Sequence, residues 1–126
     1  DIQCEISPVP FKDISTAAPG EPSAKIRERV IKAREIQAAR FQEFKGIHCN
    51  AQLDAGLSKK YCPMTPEATA LLHMAVERMG MSMRAYGRVV KVARTIADMD
   101  GAETIGTTHV AEAIQYRELD GKYWKG

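Results

Sequence analysis

Seven consecutive residues carry the strongest chemical signal in this 126-residue chain: Ser82-Met83-Arg84-Ala85-Tyr86-Gly87-Arg88. Ser82 is a hydroxyl residue suited to cap a helix, which puts Arg84 in the first turn. The N–H groups and partial positive charge of a helix N-terminus disfavour a cation there unless an anion joins it. A guanidinium beside those N–H groups is therefore well placed to receive a polyphosphate. Arg88 lies one turn further on the same face, and the i,i+4 pair repels without a ligand. Spacing alone leaves a second reading open, in which both arginines are solvated or paired with acids elsewhere.

Other reactive constellations do not form at sequence level. Gly121-Lys122-Tyr123 has neither the spaced glycine nor the following hydroxyl of a P-loop. There is no H-E-x-x-H, no G-x-S-x-G and no helix with paired carboxylates. His48, His73 and His109 are too dispersed for a triad, and His73 reads as a surface histidine. His48, Cys49, Cys62 and His73 could be drawn together on paper, but their spacing matches no zinc pattern. Cys4, Cys49 and Cys62 form no C-x-x-C unit, so free thiols in a reducing cytoplasm are expected. No catalytic residue and no metal site is assigned.

The elements that must position Arg84 can be read from punctuation and period. Ile2, Cys4 and Ile6 alternate with Gln3, Glu5 and Ser7, the period-2 pattern of a half-buried strand, which Pro8 and Pro10 end. One strand cannot stand alone, so its partners are expected upstream. Residues 12–22, with Pro19-Gly20-Glu21-Pro22, read as a linker.

Main helices are expected near 24–44, 66–79, 83–99 and 108–117, with a short one over 53–61. Ser23 is the expected cap of the first, and Ile26, Val30, Ala33, Gln37, Phe41 and Phe44 trace its apolar stripe. Thr65-Pro66-Glu67 opens the second and Gly80 closes it. Asp100-Gly101 stops the third, and Thr107 caps the last. The expected core is Leu71, Leu72, Ala75, Val89, Val90, Ala93, Ile96, Val110 and Ile114.

Composition bounds the rest. With 44% hydrophobic and 27% charged residues, the chain suits one folded domain rather than a disordered segment. No apolar run reaches membrane-spanning length, and no signal sequence opens the chain. It begins without Met and inside an alternation, as expected of a piece of something larger. Net charge is only +2, but charge is segregated. Residues 25–45 hold seven bases against three acids, and residues 78–97 hold Arg78, Arg84, Arg88, Lys91 and Arg94 with no acid. Six acids and one base occupy 98–120.

In order along the chain, these segments resemble the C-terminal helical domain of magnesium-chelatase-like AAA+ proteins, in particular the bacterial ComM/YifB branch. The resemblance rests on Ser82 through Asp98, on Pro19-Gly20-Glu21 with Ser23-Ala24-Lys25-Ile26-Arg27, and on Phe44-Lys45-Gly46. Cys49-Asn50-Ala51, Tyr61-Cys62-Pro63 and His109 through Arg117 also match, as does the opening segment through Phe11. Gly87 departs from the pattern, as does Thr107-Thr108 where Ser-Pro is frequent.

The resemblance implies an all-α, lid-type helical bundle preceded by an extended strand remnant. Residues 1–22 would be the remnant of the last AAA+ core strand and a linker, 23–120 the lid, and 121–126 a tail. It further implies a cytoplasmic parent ATPase that binds ATP with Mg2+ and forms a homo-oligomeric (hexameric) ring. Its Walker motifs and arginine finger would lie upstream, and the fragment alone would bind no cofactor. The lid would contact the AAA+ core of its own and of neighbouring subunits, with DNA as a further partner and no membrane.

Arg84 falls at the sensor-2 position in this resemblance, with Arg88 as second choice. Arg84 is then expected to be exposed and not neutralised by a buried acid, while Arg94 holds the bundle together. Two alternatives stay open: a module whose basic helices contact DNA directly, and a plain oligomerisation bundle.

Overall fold

The computed structural model describes residues 2–16 and 18–117. Among them are six α-helices: α1 Phe11–Thr16, α2 Ser23–Arg40, α3 Ala55–Tyr61, α4 Pro66–Met79, α5 Met83–Met99 and α6 Thr107–Gln115. A 3₁₀ turn spans Asn50–Gln52. No sheet forms among the described residues, which contain one isolated parallel bridge, Met64 to Ile105.

The helices that carry the site begin and end at the expected residues. Thr65 Oγ1 accepts the Ala68 N–H at 3.1 Å and Pro66 occupies the first position of α4. Gly80 closes α4 with φ +63°, a left-handed conformation that suits glycine. Two residues later Ser82 Oγ accepts the Ala85 N–H at 3.1 Å, and α5 starts. The short Gly80–Ser82 corner thus fixes where Arg84 emerges.

α5 is the central helix, packed against α6, α2, α3 and the 3₁₀ turn. Leu72, Val89, Val90, Ala93 and Val110 are buried as expected. Leu71, Ala75, Ile96 and Ile114 are half-buried at the rim. Phe41, Leu53, Cys62, Ala68, Ala97, Ile105 and Ala113 complete the core. Phe41 and Phe44 both meet the Tyr61 ring edge-on, at 5.5 and 5.8 Å between centroids.

Several local expectations are corrected. The stretch read as a linker over 12–22 contains most of α1: the Pro10 carbonyl accepts from Asp13 and Ile14 N–H at 2.9 and 3.3 Å. A proline that ends a strand serves equally to start a helix. Pro22, not Ser23, is the N-cap of α2, with no side-chain cap. That helix stops at Arg40, short of Phe44, because Phe41 turns into the core and a tight turn joins it to Phe44.

The apolar stripe of α2 is only half used. Ala33 and Gln37 are buried, whereas Ile26 and Val30 remain 44% and 42% exposed. The short third helix starts at Ala55 behind Asp54, whose carboxylate accepts the Leu57 N–H at 2.8 Å. Gly106 rather than Thr107 precedes α6, and its N–H donates to His109 Nδ1 at 2.9 Å.

Residues 2–10 join no ladder among the described residues, and the Gln3 N–H donates to the Tyr116 carbonyl at 3.0 Å. The tail expected at 121–126, and 118–120 of the expected lid, lie outside the described residues. No described helix is long and apolar enough to cross a membrane.

Candidate functional site

Arg84 is the second residue of α5 and is exposed to solvent. Its guanidinium makes no ion pair or side-chain hydrogen bond among the described residues. Ser82 satisfies the Ala85 and Tyr86 N–H groups through its hydroxyl and carbonyl oxygens, at 3.1 and 2.9 Å. The N–H groups of Met83 and Arg84 have no acceptor among the described residues. Two open N–H groups, a helix dipole and an arginine thus share the first turn of α5, a composition that suits a phosphate oxygen.

Arg88 occupies a different setting. It is half-buried and already engaged within the fold. It lines a groove of about 960 Å3 between α2, α5 and α6, with Lys91, Ile96, Met99, His109 and Tyr116 also on its walls. Lys91 Nζ donates to the Ala51 carbonyl at 3.3 Å. The two arginines share a helical face, but Arg84 opens to solvent beyond the groove and Arg88 sits inside it.

Gly87 separates them. A Cβ built there meets nothing within 4 Å. Gly87→Ala is therefore expected to raise unfolding free energy by about 1 kcal/mol, through helix propensity alone. Urea unfolding followed by circular dichroism measures this, and a loss of stability would show a contact that the open space does not provide.

At the opposite end of α5 lies a buried polar cluster that sequence reasoning missed. Arg40 donates from Nη1 to Asp98 Oδ2 at 2.9 Å and from Nη2 to Asp98 Oδ1 at 2.5 Å. Its Nη1 also reaches Asn50 Oδ1 at 3.0 Å. Asn50 Nδ2 donates to Asp98 Oδ2 at 2.9 Å and to Thr95 Oγ1 at 3.1 Å, while the Asn50 N–H donates to Gln37 Oε1 at 2.9 Å. Arg94, 1% exposed, donates from Nε to Asp98 Oδ1 and caps the Ala102 and Glu103 carbonyls at 2.5 and 2.7 Å.

The one signal in the sequence was the i,i+4 spacing of Arg94 and Asp98 on one helix, which was not read as a pair. Arg40 and Asn50 gave no local sign, since their partners lie 58 and 48 residues away.

Burial by itself pushes the Asp98 carboxyl up. Hydrogen bonds from Arg40 and Asn50, with the charges of Arg94 and Arg40, outweigh it and hold the group below the usual carboxylate range. An unfolded Asp takes up its proton near pH 4, and folded Asp98 does so only at lower pH. The stabilisation from Asp98 is thus complete above about pH 4 and is lost as pH falls through the folded value. As pH falls below about 4, the urea midpoint of the native chain should drop more steeply than that of Asp98→Asn. Parallel curves for the two proteins would contradict the assignment.

The residues considered for a metal do not assemble. His48 and His73 are exposed, Cys49 is half-buried, and Cys62 is buried with its thiol pushed up by desolvation. No group of three or more His, Cys, Asp or Glu side chains suited to a metal occurs among the described residues.

The sequence model of the family described as "Magnesium chelatase, subunit ChlI C-terminal" matches residues 20–117. The chain belongs to this family. The match contains α2 through α6, and with them Arg84, Arg88 and the Asp98 cluster. Among similar curated proteins is the competence protein ComM of Haemophilus influenzae, 37% identical over 120 residues, covering 94% of this chain and 23% of ComM. The uncharacterized protein YifB of Escherichia coli is 38% identical over 122 residues, covering 95% of this chain and 23% of YifB. An uncharacterized protein of Mycobacterium tuberculosis is 32% identical over 107 residues, covering 85% of the chain and 21% of that protein. The chain thus spans less than a quarter of the length of these relatives. As a magnesium-chelatase-type C-terminal domain of the ComM/YifB kind, it is all-helical where described.

Proposed function

We propose that this domain is the lid of a ring-forming AAA+ ATPase, in which Arg84 senses the γ-phosphate of ATP bound to a neighbouring subunit. One observation carries the reading. Arg84, which lies inside the family match, is a solvent-exposed arginine on a capped helix N-terminus, with no acid on it among the described residues. Its planar fork and the adjacent N–H groups fit phosphate oxygens. Among the described residues no group of side chains fits the magnesium ion, which would be held by ATP and by the upstream core.

ATP supplies the bond that is broken. This chain's residues bind and orient. Arg84 would donate to a phosphoryl oxygen that is lost on hydrolysis, so the ATP and ADP states favour different lid positions. Arg88, inside the groove on the same face, is the second choice for this role.

The partners follow from this arrangement. Residues 1–22 end the AAA+ core and connect it to a lid over 23–120. Ile6, Val9, Phe11 and Ile14 are exposed, by 60–89%, which supports packing on the core of the same subunit. The assembled protein is a cytoplasmic hexamer that uses ATP with Mg2+.

A second reading, direct contact with DNA, is favoured by the acid-free basic run from Arg78 to Arg94. A salt titration of duplex binding tests it, because an interface neutralising several phosphates weakens steeply with salt. The lid reading is tested by turnover of the longer protein carrying Arg84→Ala. For the isolated chain, no ATP hydrolysis is expected, because an arginine stabilises phosphoryl charge but does not activate water. Turnover that persists through repurification would overturn that expectation.

A further inference from the structure

We infer that the Arg40–Asn50–Asp98 cluster is the positioning device of Arg84, fixing the angle at which α5 leaves α2; this rests on the lid reading above. α2 is the helix that follows the upstream connection, yet it buries only Ala33 and Gln37 of its own side chains. Two small or polar residues give little apolar area to define a crossing angle. The directional contacts between the two helices are polar instead. Arg40 closes both of its terminal nitrogens on the Asp98 carboxylate, and Gln37 and Asn50 link α2 to Thr95 and Asp98. Side chains of Asp98 and Arg40 are 0% and 16% exposed, so the fork is shielded from competing water.

The cluster and Arg84 stand at opposite ends of one rigid helix. Fourteen residues separate Asp98 from Arg84, which is about 21 Å of helix. A rotation of about 10° about the cluster then carries Arg84 through about 4 Å, far beyond what a guanidinium–phosphate hydrogen bond tolerates. A small change where α2 meets α5 is thereby read out as contact or loss of contact at the nucleotide. Arg94 is not needed for this. It ties α5 to the carbonyls of the following loop rather than to α2.

Arg40→Met separates positioning from folding, because Asp98 keeps its bonds from Arg94 and Asn50 while the tie to the end of α2 is lost. Residual dipolar couplings of the isolated chain measure the α2–α5 angle directly. The expected result is a rotation of about 10° or more, or averaged couplings in α2, with the other helices unchanged and the chain still folded. In the longer protein, Arg40→Met should lower ATP turnover about tenfold. Arg40→Lys should restore part of it. The double variant Arg40→Met/Arg84→Ala should be no slower than Arg84→Ala alone, since both act through one contact.

An unchanged angle in folded Arg40→Met, or losses that multiply in the double variant, would overturn the inference and leave the sensor role standing. Wild-type turnover in Arg84→Ala alone would overturn the sensor role itself, whatever the angle.

Discussion

Asp98→Ala will destabilise the domain by about 3–5 kcal/mol, a large share of the stability of a typical domain. The substitution does not merely delete one ion pair. Asp98 is the single carboxylate between two guanidiniums, Arg40 and Arg94, and it also accepts from Asn50. Its removal leaves Arg94, 1% exposed, buried with a positive charge and no counter-charge. Every buried side-chain nitrogen and oxygen among the described residues has a partner in the native structure, so the loss has no spare acceptor to absorb it. Urea unfolding at neutral pH measures the effect. A change below about 1 kcal/mol would mean that the cluster is solvated and not a buried hub.

That cluster is built from contacts 48 and 58 residues apart, which local sequence does not encode. The ends of α4 and α5 were legible because Thr65-Pro66, Gly80 and Ser82 act through local hydrogen bonds and backbone conformation, which neighbours in sequence determine. The corner that presents Arg84 was legible for the same reason. Asn50, by contrast, lies in an irregular stretch, and nothing near it says that its amide will meet Asp98. Phe41 reads as a continuation of the α2 stripe, yet its contact with Tyr61 ends the helix early, a tertiary preference that periodicity does not encode. Ile26 and Val30 fit the same stripe and stay exposed, because periodicity identifies an apolar face without saying what covers it. α1 was hidden by prolines that read equally well as linker.

The second large effect is catalytic. In the assembled longer protein, Arg84→Ala should reduce ATP turnover about 10–100-fold, the equivalent of losing about 1.5–3 kcal/mol in hydrogen bonds to a charged group. The domain should remain folded, since the exposed Arg84 side chain makes no ion pair or hydrogen bond among the described residues whose loss would be felt. Arg84→Lys should recover only part of the activity: lysine keeps the charge but lacks the planar fork. Unaltered turnover in Arg84→Ala would remove the residue from the mechanism.

The most direct test of the lid reading is the ratio of ATP to ADP affinity in the assembled longer protein, compared between the native sequence and Arg84→Ala. A residue that contacts the γ-phosphate contributes to one affinity and not to the other. The account predicts that the preference for ATP shrinks by about tenfold or more in the variant, with ADP affinity little changed. An equal loss of both affinities, or an unchanged ratio, would contradict it.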